Sequence, residues 1–180
     1  MSLEDVYNYF RGYDKATYEV IAQMGVEPGL EDVERFESRI GFRFPDEFRE
    51  FAVHPLGGMC MRVREEIWPR PQLGDVGPFW SFCYGFEVYG LSAKAPEWLQ
   101  MGAAWSQMSD RGFPDFVPFL KIATDPDPYC FTADRGIVIW RHETPADPDL
   151  VTLSFSEVLM SEIHELEKRK DQKLRQGQGS

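Results

Sequence analysis

His142-Glu143 sets an imidazole beside a carboxylate, the pairing from which a hydrolase could build an acid–base site. Such a pair needs a nucleophile or a metal beside it, and nothing else in the sequence completes the site. Cys60, Cys83 and Cys130 are far apart, show no CxxC spacing, and each falls in a strand-like segment, so they read as buried sheet thiols. Asp125-Pro126-Asp127-Pro128 offers two carboxylates one residue apart, which invites a hard cation. A calcium loop would also need a glycine turn and a distal bidentate acid, and the prolines instead stiffen a turn that holds the acids outward. Gly57-Gly58 lacks the helix and lysine of a phosphate cradle. His54 sits at a helix end where an imidazole can meet the last carbonyls, and His164 lies on a solvated face between Glu162 and Glu165. The residues thus imply no catalytic group, no metal and no cofactor.

Binding is the chemistry that remains. Of five tryptophans, Trp68 precedes a loop, and Trp140 nears a strand end flanked by Arg141 and Glu143. An aromatic anchor inside a charged rim is the pattern of a protein-binding hot spot. The candidate partner-binding set is therefore Glu65, Glu66, Trp68, Asp75, Asp125, Asp127, Trp140 and Glu143.

These loops must be carried by ordered elements. Ser2-Leu3-Glu4-Asp5 is a capping box for a first helix with Val6, Tyr9 and Phe10 on one side, and Asp14 is expected to cap a second with Tyr18, Ile21 and Ala22 apolar. Gly25 and Pro28-Gly29 should end that region. Val33, Phe36 and Ile40 form the stripe of a helix that Gly41 closes. Pro45-Asp46-Glu47 opens another, with Phe44, Phe48, Phe51 and Ala52 on one face. Alternation predicts strands over 59–67 and 79–89, a proline- and glycine-rich loop between them, and a helix over 96–108. Short strands follow at 116–123, 129–132, 137–142 and 151–153, and Ser154 with Glu157 caps a final helix. The expectation is an α+β fold: a single domain over 1–170, with a largely antiparallel sheet of about five or six strands and flanking helices, then a disordered tail over 171–180.

The segment Leu30 to Gly58, with Ile40-Gly41-Phe42-Arg43-Phe44-Pro45, Phe48 to Phe51 and the Gly57-Gly58 step, resembles the SUKH superfamily. Phe116-Val117-Pro118-Phe119, the paired segments Tyr129 to Thr132 and Gly136 to His142, and Ser154 to Leu159 follow in that family's order, so the resemblance spans Leu30 to Glu165. The family includes yeast cell-wall-assembly regulators and many bacterial immunity proteins. The resemblance implies an α+β fold and, as function, binding and neutralisation of a cognate toxin domain, a nuclease above others. The alternative is a regulatory interaction module, and a hydrolase using His142 and Glu143 comes last.

Charge fits that choice. The formal net charge is −11, and because 165–175 carries five Lys or Arg against three acids, the residues before it hold −13. Such a body repels phosphate backbones, which argues against direct nucleic-acid binding, and draws in basic proteins such as a toxin domain. The acidic start Met1-Ser2-Leu3-Glu4-Asp5 is unlike a signal peptide, and no apolar run spans a bilayer, so a cytoplasmic monomer with no membrane partner is expected.

Overall fold

In the computed structural model, which describes residues 1–22 and 27–177, the capping box at Ser2 is present: Asp5 accepts from the Ser2 N–H at 2.8 Å. Helix α1 (Leu3–Gly12) follows, burying Leu3, Val6, Tyr7 and Phe10. The helix expected after Asp14 is instead a strand, β1 (Tyr18–Ile21). Asp14 does accept from Ala16 N at 2.9 Å and Thr17 Oγ1 at 2.5 Å, but those bonds close a turn. Short polar side chains offer the backbone that alternative to a helix. The Gly25 expected to end this region lies outside the described residues.

Helices α2 (Leu30–Ile40) and α3 (Asp46–Ala52) stand where the pattern placed them, with Gly41 left-handed at φ 83° between them. Strand β2 (Met59–Val63) turns Met59, Met61 and Val63 inward and ends earlier than predicted. The strand expected over 79–89 splits. After Pro78, Phe79–Phe82 is a 3₁₀ turn in which the Ser81 N–H and Oγ both bond the Pro78 carbonyl, and only β3 (Gly85–Val88) joins the sheet. Cys83 therefore follows a turn and lies in no strand. The helix over 96–108 also divides, into a 3₁₀ turn at Glu97–Leu99 and α4 (Met101–Asp110). The Gly90 N–H bonds Leu99 O and the Met101 N–H bonds Gly90 O, both at 2.8 Å, so the backbone pauses to pair before the helix starts.

Strands β4 (Val117–Ile122), β5 (Tyr129–Thr132), β6 (Gly136–Ile139) and β7 (Asp149–Val151) complete one antiparallel meander of seven strands in chain order, one more than expected. Ser154, whose N–H bonds Glu157 at 2.9 Å, caps helix α5 (Phe155–Gly177), which runs through 171–177, where a tail was expected. On one sheet face an aromatic core forms. Phe119 stacks on Phe131 at 4.2 Å, Phe48 meets both Phe131 and Phe155, and Phe51 meets Phe155. The opposite face carries two small clusters, Cys60 with Ala95 and Leu99, and Cys130 with Met108, Val138 and Trp140.

Candidate functional site: one end of the sheet

Each antiparallel strand pairs with the next, so every second connection emerges at the same end. Tyr18 pairs with Val63, Arg62 with Gly85, Phe86 with Ile122 and Tyr129 with Ile139. The connections 64–84, 123–128 and 140–148 therefore share one end, and they hold every acid of the candidate set: Glu65, Glu66, Asp75, Asp125, Asp127 and Glu143.

The tryptophans do not serve there as anchors. Trp68 is 1% exposed, and its indole N–H donates to Ser81 O at 3.3 Å, pinning the 64–84 connection from inside. Trp140 is 4% exposed and packs edge-on against Phe113 at 5.3 Å. An indole near a loop can be the loop's own core, and both are.

Apolar surface is offered instead by residues that the pattern reading passed over. Leu73 and Val76 are fully exposed and Phe79 is 56% exposed, all in the same connection. The turn that carries Leu73 is held in shape. The Asp75 carboxylate accepts from Gln72 N at 2.7 Å, the Asp75 N–H returns to Gln72 O at 3.1 Å, and Gly74 takes φ 100°. Pro69, Pro71 and Pro78 restrict the chain around it. Asp75 thus shapes the tip in addition to lending it charge. The available signal was a leucine and a valine within a Pro/Gly-rich stretch that has neither helical nor strand period.

The acids themselves divide. Glu65 and Glu66 are exposed and make no hydrogen bond or ion pair among the described residues, and they sit beside Arg62, Arg64 and Arg70. Those arginines are engaged: Arg62 with Glu19 at 2.7 Å, Arg64 with Lys15 O at 2.8 Å, and Arg70 with Val63 O at 2.8 Å while stacked over Tyr84 at 4.2 Å. Asp125 accepts from Asp127 N at 2.9 Å. Asp127 accepts from His142 N at 2.9 Å, lies 2.7 Å from His142 Nδ1, and pairs with Arg141 at 3.2 Å. Arg141 also grips Asp149 at 2.5 Å. His142 is therefore joined to Asp127 and not to Glu143, which is exposed.

This group ties the β4–β5 turn to the segment after β6. Burial raises the Asp127 carboxyl, but bonds from the His142 backbone, its ring and Arg141 outweigh that and hold it below the usual carboxylate range. Asp127→Ala should cost about 2 kcal/mol of stability, since it strips charge-assisted bonds from a carboxylate only 12% exposed. A carboxyl lowered in the folded state contributes stability that is full above its unfolded value and is lost as pH falls through its folded value. The gap between wild type and variant in urea titrations should therefore close as pH drops below about 4.

The remaining chemistry-bearing residues are structural in placement. Burial raises all three thiols, Cys60 to about 12, which keeps them protonated and poorly nucleophilic. His54 stacks on Tyr7 at 4.0 Å and accepts from Leu56 N at 3.1 Å, so it does not reach back to helix carbonyls as expected. His164 is exposed on α5, whereas Glu162 is buried and accepts from Tyr129 Oη at 2.8 Å. Among the described residues no group of three or more His, Cys, Asp or Glu could hold a metal, and no helix is long and apolar enough to cross a membrane.

Residues 28–161, most of the chain, match the family model described as SMI1 / KNR4 family (SUKH-1). No curated protein matches the chain.

Proposed function

Because the chain belongs to the SMI1 / KNR4 family (SUKH-1), we propose that it is a non-enzymatic immunity protein that binds and neutralises a cognate basic toxin domain, a nuclease, in the cytoplasm. The observation that carries this reading is one connection that presents both exposed apolar side chains, Leu73, Val76 and Phe79, and the exposed carboxylates of Glu65 and Glu66. An apolar anchor next to unpaired charge suits a protein partner. A nuclease cleft is built to receive polyanions, and a chain of net charge −11 would be steered to it and would cover it. The same charge disfavours direct binding to nucleic acid.

Co-expression is the test. The protein should rescue cells from the toxin domain encoded beside it, co-elute with that domain on gel filtration, and give no protection against unrelated toxins, since steering is generic while anchor contacts are specific. Neither survival nor a complex would move the chain to the regulatory-module reading.

A further inference from the structure

On the sheet face that carries Cys60, the residues Cys60, Arg62, Tyr84, Glu87, Trp98 and Ala123 line a half-open pocket of about 140 Å³. Glu87 forms one wall. It pairs with Cys60 across the β2–β3 ladder and with Lys121 across the β3–β4 ladder, yet it accepts no hydrogen bond and closes no ion pair among the described residues. Burial raises its carboxyl, partly offset by Lys121 and then Arg62. Arg62 is already committed to Glu19 at 2.7 Å. Trp98, 46% exposed on the 3₁₀ turn before α4, also lines the pocket, while its neighbour Leu99 packs in the cluster with Cys60.

A half-buried carboxylate that accepts no hydrogen bond, lining the same pocket as an exposed indole, leaves acceptor positions free for the donors of an incoming cation. Ammonium groups bind carboxylates through charge-assisted bonds and bind indole faces through the ring quadrupole. A pocket this small admits the end of one side chain, such as an ammonium with the methylenes next to it. We propose that this pocket receives a lysine side chain projecting from the protein partner, its ammonium against Glu87 and its stem across Trp98. The inference takes the existence of a protein partner from the preceding reading and adds the chemistry by which one of its side chains is recognised.

The test can be made on the free protein. Titration with N-acetyl-lysine N-methylamide should move the Trp98 indole N–H resonance saturably at millimolar concentrations, and the norleucine counterpart should not. Glu87→Gln, nearly isosteric and uncharged, should melt normally and bind the lysine compound at least about tenfold more weakly, as loss of a charge-assisted bond requires. Trp98→Ala, followed by the Cys60-side backbone resonances, should weaken it as well. An equal response to norleucine, or no change in Glu87→Gln, would overturn the proposal. The two readings fail separately: a toxin complex indifferent to Glu87→Gln removes the pocket and leaves immunity standing, while lysine binding without any toxin complex keeps the pocket and removes the toxin as the lysine's source.

Discussion

Replacing Leu73, Val76 and Phe79 together with serine should leave the protein folded and weaken its complex with the proposed toxin partner by about a thousandfold or more. All three side chains are exposed in the free chain, so their removal opens no cavity and the melting temperature should stay nearly constant. In the complex they would be buried, and central apolar anchors are worth about 2 kcal/mol each, so two engaged residues already account for nearly a thousandfold. The loss should fall on the dissociation rate. Glu65→Gln with Glu66→Gln should act differently, slowing association and flattening its salt dependence while dissociation changes little, because rim charges steer encounter. Surface plasmon resonance at two salt concentrations separates these effects. Unchanged dissociation in the triple variant would move the interface to another face of the molecule.

That the candidate acids gather at one end of the sheet was easier to read from the sequence than which of them stay free of partners. The acids at 65, 66, 75, 125, 127 and 143 reach one end of the sheet because a meander returns every second connection to the same side. Which of them stay free depended on partners distant in sequence. Asp127 meets Arg141 and His142 through the β5–β6 pairing, and no local pattern announces that. The tryptophans misled for a related reason: position near a loop says little about burial when the loop folds back over its own indole, as Trp68 does by bonding Ser81. Leu73 and Val76 carry no periodic signal, because apolar residues in a turn follow neither the helical nor the strand repeat.

Where helical stripes were long and capped the elements fell as read, and the α2–α3 corner and the start of α5 are examples. Short segments misread when turn chemistry competed with periodicity. Asp14 closes a turn ahead of β1, and Pro78 starts a 3₁₀ turn inside an alternating aromatic run. Gly57 carries an additional constraint that its sequence neighbours do not reveal. An added Cβ would lie 2.4 Å from Ala52 O and 2.5 Å from Phe51 O, so the Gly57-Gly58 step marks a close packing of backbone and offers no phosphate cradle.

Glu37→Ala should be among the most destabilising single changes, costing about 3 to 5 kcal/mol. Glu37 lies next to Phe36 on the inward side of α2, where a carboxylate is out of place unless paired. Its oxygens accept from the Phe44 N–H at 2.8 Å and from the Arg49 guanidinium, so one side chain spans the Gly41 corner and ties the end of α2 to α3. Alanine would leave a buried amide without an acceptor and Arg49, 13% exposed, with only Glu34 at 3.4 Å. At about 2 to 4 °C per kcal/mol for a chain of this size, the melting temperature should fall by roughly ten degrees. Glu37→Gln, which keeps an acceptor for Phe44, should lose less than half as much, and a loss as large as alanine's would mean that the charge on Arg49 dominates the corner. If both variants still bind the toxin domain at temperatures where they remain folded, the stretch from Ile40 to Pro45 sets the fold, and the choice of partner lies in the connections at the far end of the sheet.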